Sequence, residues 1–281
     1  MPAYPSPPVV LTFAAADPSG GAGLQADLLT LSSMGVHALS VVTAITVQDT
    51  AGVDAVSPVD AEWVADQARL LLEDMTIQAF KVGYAGSIEN IAAIAEIVSD
   101  YPDVPLILDP AMLSPRSEES GAEDLAAALR DLLVPQSTVI SASGMEIRLL
   151  AQEDADEPDD ASTEECAARL IQLGAEYVLV TGTHENTAQV INTLYGAQGI
   201  VRQDQWDRLP GRYHGAGCTL AAAIAATLAN GLDLAEAVHD AQEYTWQTLA
   251  AGFRPGMGRL LPDRFFWARE ADEEPPPVAG D

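Results

Sequence analysis

Two glycine-rich stretches carry residue types and spacings suited to holding an anion. The first, Asp17-Pro18-Ser19-Gly20-Gly21-Ala22-Gly23, falls between an apolar run, Val9 to Phe13, and a helical pattern starting at Leu24. Glycine lets backbone approach a ligand closely, and a following helix N-terminus presents unpaired N–H groups to an acceptor. The second, His214-Gly215-Ala216-Gly217-Cys218-Thr219, leads into Leu220 to Ala229, an Ala-rich run of strong helix propensity. Gly215 and Gly217 flank a small residue, which leaves the N–H groups of Ala216, Gly217 and Cys218 able to converge on one oxygen. The helix dipole adds to that attraction, and the arrangement suits charge developing on a transferring phosphoryl group. Cys218 is expected at the helix N-terminus, where a thiolate is stabilised. The first stretch is neither G-x-G-x-x-G nor G-x-x-x-x-G-K-[ST], since no lysine follows. Each taken alone also suits an ordinary tight turn, and Cys218 alone also suits a small core residue.

The elements that must position these turns alternate along the chain. Strands are expected at Val9 to Phe13, Ser40 to Ala44, Ala79 to Val82, Leu106 to Leu108, Thr138 to Ile140 and Tyr177 to Val180, with a hairpin near Ala188 to Val201. Between them lie the amphipathic patterns Ala61 to Met75, Ile88 to Ser99, Ala122 to Leu133 and Thr163 to Leu173. That alternation implies βαβ units and an α/β fold of three layers around a central, mostly parallel sheet. Asp109-Pro110 and Thr181-Gly182 follow apolar runs, at the carboxyl strand ends where open α/β sheets bind ligands. The acidic stretch Ala151 to Glu165 reads as a solvated loop. One domain is expected over 1–267, followed by an acidic tail, 268–281, containing Pro275-Pro276-Pro277 and expected to be frayed.

The charge count narrows the partners. Lys and Arg total 13 against 42 Asp and Glu, a formal net charge of −29. Such a surface disfavours nucleic acid and anionic membrane, which are bound through many basic contacts. Hydrophobic residues make up 48% of the 281, ample for a core. Cys166 and Cys218, the two cysteines, are too few for a disulfide framework. Met1 to Pro8 has no basic segment ahead of an apolar stretch, and Thr219 to Leu228 is far short of the ~20 residues that span a bilayer. A cytoplasmic location follows as the expectation.

Four ordered motifs carry a resemblance. Asp17 to Asp27, Thr43-Ala44-Ile45-Thr46-Val47-Gln48-Asp49-Thr50, Leu108-Asp109-Pro110-Ala111-Met112 and His214 to Leu220 resemble those of the hydroxymethylpyrimidine/phosphomethylpyrimidine kinases of thiamine biosynthesis. Gly256-Met257-Gly258-Arg259 and Leu261 to Phe266 extend the similarity, which spans about Val9 to Phe266. It implies a ribokinase-like fold, with ATP and Mg2+ as cofactors and a small pyrimidine as substrate. Gln48 then hydrogen-bonds the pyrimidine. Asp17, Gly20, Gly21, Gly23, Tyr84 and Met112 line its pocket, and Thr181, Gly182, His214, Gly215 and Gly217 meet ATP. Gly215, Ala216 and Gly217 form an anion hole, with Cys218 where sugar kinases of the superfamily place an aspartate base. Asp109 and Glu146 organise Mg2+. The chain departs from the family at Ser143-Gly144-Met145 before Glu146, where Asn-Leu-Pro is usual, at Thr181 for lysine, at Tyr84-Ala85 for Met-Leu, and at Ala216 for threonine.

The resemblance implies two successive phosphorylations, of the alcohol and of its monophosphate, and superfamily analogy implies a homodimer. Pyridoxal kinase is the alternative enzyme, since vitamin B6 aldehydes share a flat heteroaromatic ring and a hydroxymethyl. A pyrimidine sensor without phosphoryl transfer is the alternative from another class. The −29 charge, with Lys81 the one lysine, describes an exterior adapted to high salt. Its melting temperature is expected to rise as NaCl screens self-repulsion from low to molar salt. A flat or falling trend would contradict that reading.

Overall fold

The computed structural model describes residues 6–111, 121–152, 161–183 and 187–269. Among them one nine-stranded sheet runs in the order β3-β2-β1-β4-β5-β6-β7-β8-β9. The central strands are β2 (His37–Gln48), β1 (Val9–Ala16), β4 (Ala79–Val82), β5 (Leu106–Leu108), β6 (Val139–Ser143) and β7 (Tyr177–Thr181). These six are parallel, so their carboxyl ends share one edge. Antiparallel strands close the flanks: β3 (Val53–Pro58) on β2, and β8 (Gln189–Gly196) with β9 (Gly199–Asp207) on β7.

The parallel strands are apolar on both faces because helices cover both. One face carries α2 (Ala61–Asp74), α3 (Ile88–Ser99), α4 (Ala122–Leu132), α5 (Gly144–Ala151) and α6 (Thr163–Gln172) over Phe13, Phe80, Val82, Leu106, Leu108 and Ile140. The other carries α1 (Gly23–Ser33), α7 (Ala216–Ala229) and α8 (Leu234–Ala250) over Val10, Ala79, Ile107, Val139 and Leu179. Side chains alternate between the two faces with the strand period of two. Lys81, between Phe80 and Val82, is thereby turned toward α1 and α7. Helix α7 is buried almost all round, and Ala221, Ala222, Ala223, Ala225 and Ala226 let it lie close on the sheet.

The expected α/β architecture is present, with differences at boundaries and in three elements. Strand β2 extends beyond Ser40 to Ala44 in both directions, β6 runs on to Ser143, and the hairpin starts at Gln189 and reaches Asp207. Strand β3 lacked an apolar signal because its solvent face leaves Asp54, Ala55, Ser57 and Pro58 exposed. Helix α8 buries Ala237, Val238, Ala241, Gln242, Thr245 and Thr248, a face small and polar apart from one valine, which hydrophobic periodicity misses. Helix α5 was read only as a motif. From residue 270 the expected tail lies outside the described residues, as does 153–160 of the acidic stretch.

Candidate active site

The two glycine turns lock into one another at the carboxyl edge, beside the point where the chain reverses between β1 and β4. Asp17 ends β1 and organises its own loop: its carboxylate accepts from Ser19 N–H (2.8 Å), Ser19 Oγ (2.9 Å) and Ala22 N–H (2.7 Å). The same Oδ2 faces His214 Nε2 at 2.9 Å across 197 positions of sequence. A carboxylate only accepts, so Nε2 is the protonated nitrogen. A Cβ on Gly215 would lie 1.9 Å from Gly21 O, and one on Gly21 would lie 2.4 Å from His214 Cδ2. Gly23, at φ +54°, closes the first loop, with Ala15 O 2.3 Å from its would-be Cβ. Arg264 fastens the joint, donating to Gly21 O (2.6 Å) and Thr219 Oγ1 (3.1 Å). His214, expected at the nucleotide, is thus buried and employed in holding the loops together.

Burial pushes the Asp17 carboxyl up, but hydrogen bonds from His214, Ser19 and Ala22 outweigh it and bring it down to about 2 from 3.8. A lowered carboxylate contributes stability that is present above the unfolded value and lost as pH falls through the folded one. Asp17→Asn is therefore expected to cost about 2 kcal/mol at pH 7. The difference from the parent should close between pH 3.8 and about 2 in paired denaturant titrations.

Both helices that begin here start without a side-chain cap, from Ala22 and Gly215. In α7 the first intrahelical bond is Thr219 N–H to Gly215 O, 2.9 Å. The N–H groups of Ala216, Gly217 and Cys218 therefore have no acceptor within the helix. Gly217 is exposed, and nothing lies within 4 Å of where its Cβ would be. Open space, free N–H groups and a helix dipole together make an anion site.

Beneath that turn lies a charge cluster that the sequence motifs do not disclose. Lys81 Nζ, fully buried, sits 3.1 Å from Asp27 Oδ2 on α1 and 3.3 Å from Asp109 Oδ2 after β5. Thr12 Oγ1 also donates to Asp27 Oδ2, at 2.7 Å, while Asp27 Oδ1 is buried without a hydrogen-bond partner. Burial opposes the lysine charge, but Asp27 and Asp109 hold it protonated above the ordinary lysine value. Burial drives Asp27 upward against the pull of Lys81. Cys218, half-buried above this cluster, is not a poised thiolate. Burial raises its pKa and so keeps the proton on sulfur, Asp109 and Asp27 raise it further, and Lys81 and the Gly23 N–H only partly offset them. The expected helix-lowered thiol is corrected accordingly: the N-terminus is in place, but burial, and then the carboxylates below, outweigh it.

The remaining predicted residues ring the same edge. Gln48 ends β2, and its Oε1 is buried without a hydrogen-bond partner, an acceptor that a ligand N–H would satisfy. Tyr84 follows β4, half-buried, with its carbonyl held by Thr43 Oγ1 at 2.6 Å. Asn90 braces that wall from α3, its Nδ2 reaching Thr43 O, Val59 O and Ala85 O at 3.1, 3.1 and 2.9 Å. Thr181 and Gly182 end β7, and Thr181 Oγ1 lies 3.0 Å from Thr183 Oγ1. Met112 lies outside the described residues.

For Mg2+ the donor set is sparse. Glu146 caps α5, its Oε2 accepting from Ser143 N–H (2.8 Å) and Ser143 Oγ (2.6 Å), and Asp109 is shared with Lys81. Among the described residues no group of three His, Cys, Asp or Glu could hold a metal. Mg2+ keeps several waters and is usually bound through one or two carboxylates plus substrate phosphates. The residues fit an ion that arrives with a nucleotide and keeps its waters.

A parallel sheet whose carboxyl edge joins an uncapped helix turn to a glycine loop defines a small-molecule kinase of the ribokinase-like class. The chain belongs to the phosphomethylpyrimidine kinase family, whose model matches residues 17–262. The hydroxymethylpyrimidine/phosphomethylpyrimidine kinase of Rhizobium meliloti (strain 1021) is 36% identical over 251 residues, covering 89% of this chain and 94% of that protein. Among solved structures, an ADP complex of Bacillus subtilis pyridoxal kinase aligns at TM-score 0.82 and 27% identity, over 94% of this chain and 100% of its own. Staphylococcus aureus pyridoxal kinase, in complex with AMP-PCP and pyridoxal, aligns at TM-score 0.82 and 26% identity, over 94% and 95%. No helix among the described residues is long and apolar enough to cross a membrane.

Proposed function

We propose that the chain is an ATP-dependent kinase that phosphorylates 4-amino-5-hydroxymethyl-2-methylpyrimidine, and then its monophosphate to the diphosphate, in thiamine biosynthesis. The observation that carries this reading is the Ala216–Cys218 turn, whose three N–H groups have no acceptor within the helix and whose Gly217 is exposed with open space beside it, on the sheet edge where Gln48 keeps a buried, unpartnered Oε1. Phosphoryl transfer needs positioning and charge stabilisation more than covalent help from the protein. Here Gln48 orients the ring, Asp17, Gly20, Gly21, Gly23 and Tyr84 shape the pocket, and the turn takes the negative charge of the transferring group. Thr181 and Gly182 meet the nucleotide. Mg2+, when bound, would neutralise charge on the phosphates, and Asp109 and Glu146 would hold its waters. The same reading takes the enzyme as cytoplasmic and homodimeric.

Cys218 serves as a substrate-orienting thiol. Loss of one such contact is expected to lower kcat about 10- to 100-fold in Cys218→Ala, with Cys218→Ser recovering part. An unchanged kcat in Cys218→Ala removes the cysteine from catalysis. Pyridoxal is the second reading, favoured by the two pyridoxal kinases at TM-score 0.82. Kinetics with hydroxymethylpyrimidine and pyridoxal in parallel separate the two, and single-turnover product formation separates either from a sensor.

A further inference from the structure

Behind the β7 loop runs a line of buried polar side chains for which the reaction gives no use. Asp204 on β9 is buried, with Oδ1 facing Arg202 Nε at 2.8 Å and His239 Nδ1 at 2.9 Å. Its Oδ2 accepts from Gln242 Nε2 on α8, 3.0 Å away. The other end of that amide, Gln242 Oε1, accepts from Asn192 Nδ2 (2.9 Å) and Trp206 Nε1 (3.1 Å). Asn192 Oδ1 in turn accepts the N–H of Gly182 at 3.1 Å. Gln242 and Asn192 are 3% and 7% exposed, too little for water to substitute freely for either partner.

The chain has a direction that chemistry imposes. A carboxylate at 204 can only accept, so Gln242 must turn its NH2 toward it and its oxygen toward Asn192. Asn192 must then present its own NH2 to Gln242, which leaves its oxygen for Gly182. Asp204, whose charge is paired with Arg202 through both oxygens, thus fixes, through two amides that each have one possible orientation, the acceptor offered to a single backbone N–H at the site edge. Arg208 holds the same segment from the other side, donating to Gly182 O at 3.2 Å and Thr183 O at 2.9 Å. The Gly182 peptide is fixed at both its N–H and its carbonyl, and Ile191 O would lie 2.4 Å from any Cβ placed there.

We propose that Gln242 is a positioning residue for the nucleotide: by orienting Asn192 it sets the orientation of the Gly182 peptide, and with it the affinity for ATP. This rests on the reading of Thr181 and Gly182 as nucleotide contacts. Gln242→Glu places a second acceptor against Asp204 and is expected to raise KM for ATP about tenfold, the scale of one lost buried hydrogen bond. KM for the pyrimidine and kcat should change less than about twofold, and the Gly182 amide should exchange hydrogen faster. Adding Asp204→Asn restores a donor to face the new carboxylate, and is expected to bring KM for ATP back to within about threefold of the parent. A merely structural role would also be rescued in the double variant, but in Gln242→Glu it would lower the melting temperature and shift both KM values together instead of KM for ATP alone.

Unchanged exchange at Gly182 together with unchanged KM for ATP overturns the relay. Faster exchange at Gly182 with KM for the pyrimidine shifted instead of KM for ATP overturns the nucleotide reading of this loop, and the proposal with it. Faster exchange with neither KM changed shows the loop loosened without consequence and also overturns it. If Gln242→Glu does not fold, Asn192→Ala is read by the same measurements.

Discussion

Gly215→Ala is expected to lower kcat/KM by about 100- to 1,000-fold, the range seen when one donor of a charge-stabilising hole is lost. The effect has two sources that add. Gly215 sits at φ +81°, a left-handed conformation that costs a non-glycine residue about 1–2 kcal/mol. The new Cβ would also stand 1.9 Å from Gly21 O, a backbone atom that Arg264 already holds at 2.6 Å. Relief requires the two turns to part, which pulls His214 off Asp17 and swings the first N–H groups of α7 away from their common focus. Gly217→Ala provides the contrast. Its Cβ meets nothing within 4 Å, and alanine favours a helix. The melting temperature of that variant should hold while its KM for ATP rises, since the methyl enters the space left for the anion. Equal melting temperatures and equal activity in both variants would mean that this turn does not hold a phosphate.

The second large effect is expected at Lys81. Lys81→Met removes the cation that Asp27 and Asp109 share at a buried site, where Lys81 and Asp27 are fully enclosed and Asp109 nearly so, and breaking a buried ion pair in this way costs about 3–5 kcal/mol. Lys81, raised above 10.5, contributes stability that is fully present below that value and lost only as pH climbs through the higher folded one. The parent should therefore show no loss from this group between pH 5 and about 9. Asp27, raised above 3.8, favours the fold below that value and loses its contribution as pH rises through the folded one. Lys81→Met should accordingly be least impaired at low pH, where Asp27 takes up a proton, and Asp27→Asn in the same chain should recover part of the loss. Denaturant titrations at pH 5 and pH 8 test this, and a penalty below about 1 kcal/mol, or one that grows toward low pH, would contradict it.

What the sequence discloses and what it hides differ in kind. β1, β4 and β5 declare themselves through unbroken aliphatic runs, and α2, α3 and α6 through amphipathic spacing, because each buries enough apolar surface to leave a periodic trace. β3 and α8 leave none: one is largely exposed, and the other buries alanine, threonine and glutamine. The glycine turns are legible because backbone strain and close approach restrict those positions to one residue type. The His214–Asp17 bond is not, since it joins residues 197 apart by a pairing that many other carboxylates could supply on paper. Lys81 did offer a signal. A sole lysine inside Ala79-Phe80-Lys81-Val82, in a chain with 42 acidic residues, interrupts a core strand and calls for buried carboxylates on one face of the sheet. Which carboxylates answer it follows only from the sheet order that sets β4 between β1 and β5. Nor could the thiol of Cys218 be read from its place at a helix start, because the groups that govern its charge arrive from α1, β4 and the end of β5.

The central claim is that this edge transfers a phosphoryl group to a hydroxymethyl on a pyrimidine ring. Its most direct test is phosphorus NMR of the protein with MgATP and hydroxymethylpyrimidine, beside an identical reaction with pyridoxal. The account predicts the pyrimidine monophosphate and then the diphosphate, at a kcat/KM above that for pyridoxal. No phosphate transferred to the pyrimidine, whether pyridoxal alone is phosphorylated or ATP remains intact, would contradict it.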